Sequence, residues 1–471
     1  MQLRRGSRFW LALTALTFVG TGFRAQGFGL NEISTCGLGR GYAAVANGCH
    51  DASSIYWNPA AVTNLNGWTW AVGAAAIVID GKFVQDTSFR TYKGDVPTAI
   101  VPDVFVNYHN PASRVSFGIG AYVPYGLTSQ WPDNFPGKFL AKKATLATVY
   151  AQPNIAYQIN SKWSVGGGPI WGHSTVELIQ ALDLSVVPAG ATPTFPPQPI
   201  FFANLGIPAG TEFAQVRLKG SANAFGAQIA VAGQPTPQWS VGLRFLTPLE
   251  FKYDDADAVF TQVPTGLVVG GTLTPPILVG ALVDTISALK AQFTSGALIP
   301  QKASTRITHP AQIQGGIAYS GLKNWLIEGD LAWVGWKRFN ELPVNFAGPA
   351  PDRVLFEDYN NTLSGRLGAE YTIPTDGWKI RAGLAGASSA APDVTVTPLL
   401  PEQDRWYSSF GVEVPFGKMW KLEGGYLHVE TPGARGRIVE RTNRNQTAAQ
   451  LNTGVFSITA NVVSITLKAS F

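Results

Sequence analysis

The last nine residues set the terms for the whole chain. Val463, Ile465, Leu467, Ala469 and Phe471 fall on one side of an extended segment, with Ser464, Thr466, Lys468 and Ser470 on the other. That is the period-two pattern of a strand with one apolar and one polar face. It recurs upstream: Trp239, Val241, Leu243 and Phe245 against Ser240, Gly242 and Arg244, and Trp378, Ile380 and Leu384 against Lys379 and Arg381. Trp325, Ile327 and Leu331 likewise oppose Glu328 and Asp330, and Trp420, Leu422 and Tyr426 oppose Lys421 and Glu423. From residue 67 onward fourteen such segments can be counted, near 67–80, 98–109, 114–125, 145–160, 162–178, 215–233, 239–253, 301–320, 324–340, 354–373, 378–388, 405–415, 419–430 and 450–471. An even number returns both ends of the array to one rim, and short turns alternate with long connections.

Strands that alternate also occur in soluble sandwiches, so composition and turns must decide. Only 14% of the residues are charged, against roughly 25% in an ordinary soluble protein. The 51 glycines and 32 prolines oppose long helical bundles. After the N-terminus no apolar run reaches the roughly 18 residues of a membrane helix. Five tryptophans, Trp163, Trp239, Trp325, Trp378 and Trp420, each open a segment directly after a short polar turn. All five therefore belong to one rim, as in the aromatic girdle of a membrane barrel; the plainer alternative is ordinary sheet tryptophans. The expected fold is all-β: a fourteen-stranded antiparallel transmembrane β-barrel in a bacterial outer membrane.

The first 26 residues read as a signal peptide. Arg4, Arg5 and Arg8 precede an apolar run from Phe9 to Val19, and Ala25-Gln26-Gly27 is a small-residue cleavage zone, with cleavage after Ala25 or Gly27. The Arg4-Arg5 pair stands in poor context for twin-arginine export. Removing Arg4, Arg5, Arg8 and Arg24 takes the formal charge from +5 to +1, so the basic balance is no argument for a nucleic-acid partner. Export also puts Cys36 and Cys49, the only cysteines, in an oxidising compartment, where they form either a disulfide or two buried thiols.

Residues 27–66 are not strand-like, too few for a domain and rich in glycine and small side chains, so their economical place is the lumen of the barrel (67–471), as a plug. Two connections are very long, near 183–214 and 254–300. In the second, Ile277, Leu278, Ala281, Leu282, Ile286, Leu289 and Phe293 follow helical spacing. The expectation is an amphipathic helix on the outer face with no core of its own, its apolar side, Leu282 and Leu289 included, available to a hydrophobic ligand.

Three motifs in order, Gly27-Phe28-Gly29-Leu30-Asn31-Glu32, Gly37-Leu38-Gly39-Arg40 and Asn58-Pro59-Ala60, resemble the hatch of the FadL/TodX family of outer-membrane transporters for long-chain fatty acids and hydrocarbons. Similar patches follow at Leu331–Phe339 and Pro401–Trp406, and the terminal Phe471 fits as well. The resemblance implies passive uptake of hydrophobic compounds, with Gly37, Gly39, Arg40, Asn58, Pro59 and Ala60 in a gate and Phe28 and Leu30 near the ligand. It also implies release sideways through the wall. The third strand has the means, because Tyr122-Val123-Pro124-Tyr125-Gly126 puts a non-donating proline and a glycine where a strand would pair. Val123, Pro124 and Gly126 are thus the expected lateral opening, with Asn58-Pro59-Ala60 packed against it. Leu178 and Pro343 stand where basic residues for a carboxylate are sought, which brings a neutral hydrocarbon forward, although Arg244, Arg338, Arg366 and Arg405 remain available.

Each motif has a plainer alternative. Gly37-Leu38-Gly39-Arg40-Gly41 lacks the preceding strand and spacing of a phosphate loop. Asn58-Pro59 is equally a rigid turn, and inward Glu328, Asp330 and Arg381 would line a wet lumen or pin the plug. His50, His109, His173, His309 and His428 are scattered, and no nucleophile-elbow, zinc-helix or P-loop motif occurs. No catalytic residue, metal site or cofactor is expected. The partners are a hydrophobic small molecule, outer-membrane lipid and lipopolysaccharide, and the state monomeric. The main rival function is a general diffusion porin for small solutes; a membrane-embedded lipid hydrolase and an energy-coupled receptor are weaker.

Overall fold

A computed structural model of the chain describes residues 27–191, 198–270, 280–438 and 453–471. The signal-peptide residues, and Ile277 and Leu278 of the expected outer helix, lie outside them. Fourteen antiparallel strands form one closed sheet: β1 (Gly67–Gln85), β2 (Ala99–His109), β3 (Val115–Gln130), β4 (Lys143–Gln158), β5 (Trp163–Asp183), β6 (Glu212–Thr236), β7 (Trp239–Leu246 and Leu249–Gln262), β8 (Gln301–His309 and Gln312–Tyr319), β9 (Trp325–Val334), β10 (Thr362–Thr372), β11 (Lys379–Ala387), β12 (Arg405–Phe416), β13 (Trp420–Glu430) and β14 (Gly454–Ser470). Each pairs with its chain neighbours, and β14 pairs with β1 from Thr69–Ser470 to Gln85–Gly454, which leaves no open edge.

The two faces are assigned opposite to those of a soluble protein. On β14, Val463 and Ile465 are 61% and 55% exposed, whereas Ser464, Thr466 and Lys468 are buried. An apolar exterior over a polar interior is stable only in hydrocarbon. At one rim, turns of two to six residues join the strands, and the five tryptophans that open β5, β7, β9, β11 and β13 lie there, each more than a third exposed. Trp239 with Tyr319 and Trp325 with Tyr371 pair across strands, ring centroids 4.6 and 4.9 Å apart. Connections at the other rim run to 12 residues or more.

Residues 27–66 pack inside the barrel through two short α-helices, α1 (Thr35–Gly39) and α2 (Ser54–Trp57), and one 3-10 turn (Ala61–Asn64). Most of their side chains are buried, and the wall supplies the polar partners the segment lacks. Asp330 of β9 accepts from the N–H groups of Ala44 (2.8 Å) and Val45 (3.0 Å), and Glu328 accepts from those of Ala46 (2.6 Å) and Asn47 (3.2 Å). Glu328 also faces Arg40 at 3.4 Å. On the strands that follow β9, Arg381 meets Glu370, Glu413 and Glu423 at 2.5–2.7 Å, and Lys468 bridges Glu413 and Glu423 to Asp51 of the segment. Cys36 and Cys49 form a disulfide, Cα atoms 5.9 Å apart. Gly39 lies against Gly411 of β12, where an added Cβ would stand 3.1 Å from the facing Cα, so a side chain here would push the segment off the wall.

Three sequence expectations change. The helix expected across residues 277–293 is, within the described part, one turn and a half, Ser287–Gln292, preceded by a 3-10 turn at Val283–Thr285. It does have a core: Val283, Ile286 and Leu289 pack with Leu184, Phe202 and Leu205 from the other long connection and with Phe213 at the start of β6. The amphipathic spacing was real but served loop-to-loop packing. Strand β7 runs on to Gln262, nine residues past the expected end, so the second long connection begins at 263 rather than 254. Finally, β7 and β8 are each broken in the middle, at Thr247-Pro248 and Pro310-Ala311.

Asp330→Ala would leave the N–H groups of Ala44 and Val45 without their acceptor, at a cost of about 1–3 kcal/mol for each buried unpaired group. The expected outcome is faster proteolysis and hydrogen exchange in residues 40–50, with the barrel itself still heat-modifiable on a gel. Unchanged exchange there would remove Asp330 as an anchor.

Candidate functional site

The wall of the barrel is interrupted between β2 and β3. Their ladder runs from His109–Ser116 to Asp103–Tyr122 and stops, although both strands continue. At the same level the β3–β4 register jumps from Tyr122–Tyr150 to Tyr125–Thr148, three steps on β3 against two on β4. The extra residue is the bulge at Val123-Pro124. Pro124 has no N–H to give, and a bulge turns its strand away from the old partner. Above the interruption the wall is tied again, where the Asp95 N–H donates to the Gln130 carbonyl at 2.9 Å.

The groups that β2 leaves free are taken up from inside. The Leu30 N–H donates to the Pro124 carbonyl (2.8 Å) and the Gly126 N–H donates to the Phe28 carbonyl (3.0 Å), so Phe28–Leu30 forms one antiparallel bridge, Gly29–Tyr125, in place of the missing ladder. This stretch is clamped from behind: the Gly27 N–H donates to Glu402 at 3.0 Å, and Arg405 holds the other oxygen of Glu402 at 2.7 Å. Burial pushes the Glu402 carboxyl above its ordinary range, with Arg405 and the Gly27 N–H working against that. The Phe28 ring sits in an aromatic nest, its centroid 4.7 Å from Trp336, 5.2 Å from Phe339, 5.7 Å from His309 and 5.9 Å from Tyr125.

Two apolar cavities meet at Phe28. The upper, about 90 Å³, is walled by Leu127, Leu146, Leu178, Leu218, Ala303 and Leu342 among others. The lower, about 260 Å³, is lined by Phe28, Leu30, Val123, Gly126, Arg405 and Val462, and reaches Ile100. Ile100 is 62% exposed on the lipid side of β2, so this cavity extends from the lumen to the outer surface of the wall. Phe28, Leu127, Leu146 and Leu400 line both. Farther out, a cavity of about 50 Å³ shares Leu178, Leu218 and Val344 with the upper one. The long connections enclose another of about 350 Å³, which Leu289, Ile286 and Phe202 line.

The residues singled out from sequence are thus brought together unevenly. Phe28, Leu30, Val123, Pro124 and Gly126 converge on one place. Asn58, Pro59 and Ala60 do not: Asn58 donates to Val45 (2.8 Å) and to the Val231 carbonyl of β6 (3.0 Å), and Asn154 of β4 donates to the Pro59 carbonyl (3.2 Å). They fix the inner segment to β4–β6, and Phe28–Leu30 occupies the opening they were expected to cover. Gly37, Gly39 and Arg40 belong to the anchoring set, away from the cavities. Leu289 is buried in the loop core, while Leu282 is 40% exposed and stands outside the lining of the cavity there. Leu178 does line the upper cavity, whereas Pro343 sits in a small hairpin paired with Val354.

Of the four available cations, Arg405 lines the lower cavity but is engaged by Glu402. Arg244 is buried over the Tyr56 ring (4.6 Å), Arg366 donates to the Tyr42 carbonyl (3.3 Å), and Arg338 is exposed. Among the described residues no group of acidic, histidine and cysteine side chains is arranged to hold a metal ion. Trp336, Phe339 and Glu402 received no role from sequence beyond their place in the Leu331–Phe339 and Pro401–Trp406 patches, and Arg405 was singled out only as an available cation. Those two patches are the docking ground of Gly27 and Phe28.

Comparison with known proteins agrees with this fold. Residues 16–471 match the family described as outer membrane protein transport protein (OMPP1/FadL/TodX). The long-chain fatty acid transport protein of Escherichia coli K12 is 25% identical over 424 residues, covering 88% of this chain and 90% of that protein. Outer membrane protein P1 of Haemophilus influenzae Rd is 21% identical over 490 residues, 98% of each. Among solved structures, a Pseudomonas aeruginosa FadL homologue superimposes with a TM-score of 0.75 at 19% identity, over 95% of this chain and all of the other. The Pseudomonas putida toluene transporter TodX does so with 0.65 at 14% identity, over 95% and 99%. These likenesses carry the fold, and the family match carries the class: transport proteins of the bacterial outer membrane, not enzymes. The chain belongs to the OMPP1/FadL/TodX family of outer membrane transport proteins.

Proposed function

We propose that this barrel passively takes up hydrophobic compounds, long-chain fatty acids or hydrocarbons, at its outer connections, and releases them sideways into the bilayer between β2 and β3. The observation that carries this is the interrupted β2–β3 ladder with an apolar cavity behind it that reaches lipid-facing Ile100. A hydrophobic ligand gains nothing by entering periplasmic water, where each Å² of apolar surface costs about 25 cal/mol. A wall opening avoids that cost, provided the freed backbone groups are satisfied without water; Phe28 and Leu30 supply two of the partners. The string of apolar cavities from the loop core inward supports capture outside and passage toward Phe28. Residues 27–66, held by Glu328, Asp330 and Lys468, act as the plug that denies the axial route to small solutes. The closed barrel has no edge to share, which supports a monomer surrounded by lipid and lipopolysaccharide.

Val123→Arg would fill the opening with a long cation. The expected result is loss of uptake of radiolabelled oleate and of toluene by cells carrying a correctly inserted, heat-modifiable barrel. Uptake at the wild-type rate would rule out release between β2 and β3.

Leu289→Glu puts a charge into the loop core with no partner provided for it. Expected are weaker capture of dilute ligand and easier proteolysis of the long connections, with uptake approaching normal at high ligand concentration. Equal uptake by variant and wild type at low concentration would remove the capture role.

A further inference from the structure

A second departure from the ladder lies four strands round the barrel from the first. Between the Gln228–Leu246 and Lys219–Asp257 rungs, β6 advances nine positions and β7 eleven. Two strands of unequal length between fixed rungs cannot stay side by side, so the longer must bow. Among the described residues no ladder joins 220–226 of β6 to 248–256 of β7. The bow is inward. Leu249, Phe251 and Tyr253 are fully buried, and the Tyr253 hydroxyl reaches the Ser174 hydroxyl of β5 at 2.7 Å, passing on the lumen side of β6.

Strand β8 bows with it, since the two keep their mutual register on both sides of the break, Leu246–Gln312 below and Leu249–His309 above. On its other flank β8 parts from β9 beyond the Gln312–Val334 rung. Among the described residues, 248–256 of β7 and 305–309 of β8 are therefore a paired flap without rungs to β6 or β9, tied at its outer end where β7 meets β6 again (Asp257–Lys219 to Gln262–Ala214) and β8 meets residues 345 and 346, and hinged at its inner end where each strand carries a proline, Pro248 and Pro310, that cannot extend a ladder.

The hinge touches the exit. Gln312 donates to the Tyr125 hydroxyl (2.9 Å), which donates to the Pro310 carbonyl (3.4 Å), and the His309 ring lies 4.0 Å from the Tyr125 ring. Tyr125 is the residue at which β3 resumes pairing after the Val123-Pro124 bulge. Between flap and β3 lies the upper cavity, with Ala256, Ala303 and Ile307 on one side and Leu127 and Leu146 on the other. At about 90 Å³ it has the volume of about three water molecules, too little for an alkyl chain or a substituted ring unless a wall moves. Along residues 248–256 and 305–309 the flap has no rungs to β6 or β9 among the described residues, so this part of the wall is held mainly at its ends. It also leaves the Thr305 hydroxyl and His309 Nε2 buried without protein partners, which lowers the cost of leaving the closed position.

We propose that hydrophobic ligand in the upper cavity displaces this flap and that β8, through Pro310 and Gln312, positions Tyr125 and so holds the exit shut until the flap moves. The proposal rests on the side exit between β2 and β3. Gly220→Cys with Ala256→Cys tests it in the full-length protein in its membrane, because a Cβ at Gly220 would stand 2.8 Å from that of Ala256, near enough to bridge after a small shift. The oxidised pair extends the tie at the Asp257–Lys219 rung covalently into the unpaired stretch and so restrains the flap. Uptake of a pyrene-labelled fatty acid is expected to fall severalfold and to recover on reduction, while both single variants, which keep the native disulfide, transport alike in either condition. Wild-type uptake by the oxidised pair would overturn the flap.

As a second, independent measurement, Val101→Cys inside the exit reports opening by its rate of modification with a membrane-soluble maleimide. That rate should rise with added fatty acid, and should already be raised without it when Tyr125→Phe or Gln312→Leu is added. An unchanged rate in both would overturn the positioning role. If Val123→Arg blocks uptake and the pinned flap does not, the coupling alone has failed; if Val123→Arg transports normally, the exit itself has.

Discussion

In hydrocarbon every peptide N–H and C=O must find a partner within the protein, and everything else in this molecule follows from how that demand is met and where it is relaxed. Fourteen strands closed from β14 onto β1 meet it around the whole circumference. A closed ladder is also impermeable from the side. Any opening must therefore be made by withholding pairing locally and answering the freed groups from within, and Phe28–Leu30 does this at β3. The inner segment is thus part of the wall's hydrogen bonding as well as an obstruction of its lumen.

The interior works by the complementary rule. Charges are costly away from water unless paired and hydrogen-bonded. Here they are grouped so that each carboxylate serves a backbone or a cation: Asp330 and Glu328 receive four N–H groups of residues 44–47, and Arg381 and Lys468 neutralise Glu370, Glu413, Glu423 and Asp51. Polar attachment confines the inner segment to the half of the barrel near the tryptophan rim and leaves the other half to apolar cavities. One lumen thereby combines a fastened inner segment with a set of apolar cavities.

Much of the architecture was legible because a barrel wall writes itself as alternation. The C-terminal pattern gave the two faces of β14 correctly, and tryptophans after short turns located one rim. Strand ends were less legible, since alternation continues past the bilayer into the connections, as along β7 to Gln262. The bulge at Val123-Pro124 could be read because a proline in a strand has a local meaning. The bow of β7 could not, because it arises from a two-residue difference between strands and so needs the register of both. Asn58-Pro59-Ala60 was misplaced for a related reason: a motif says that backbone bends, while only tertiary contacts say which strands it bends against. Ile286 and Leu289 were correctly apolar on one face, yet sequence spacing does not distinguish a face waiting for a ligand from one covered by another loop.

The Cys36–Cys49 bond has a consequence for how the molecule comes to be. Both cysteines are almost wholly buried, at 1% and 3% exposure, inside a barrel whose first and last strands are joined along seventeen residue pairs. An oxidant large enough to be a protein cannot reach them once that join is made. An oxidant of that size would have to act on the chain before the barrel closes. With only two cysteines there is one intramolecular pairing to find, so the inner segment can be stapled early without error. Assembly then has a direction: the small loop closes first, and the barrel closes around it.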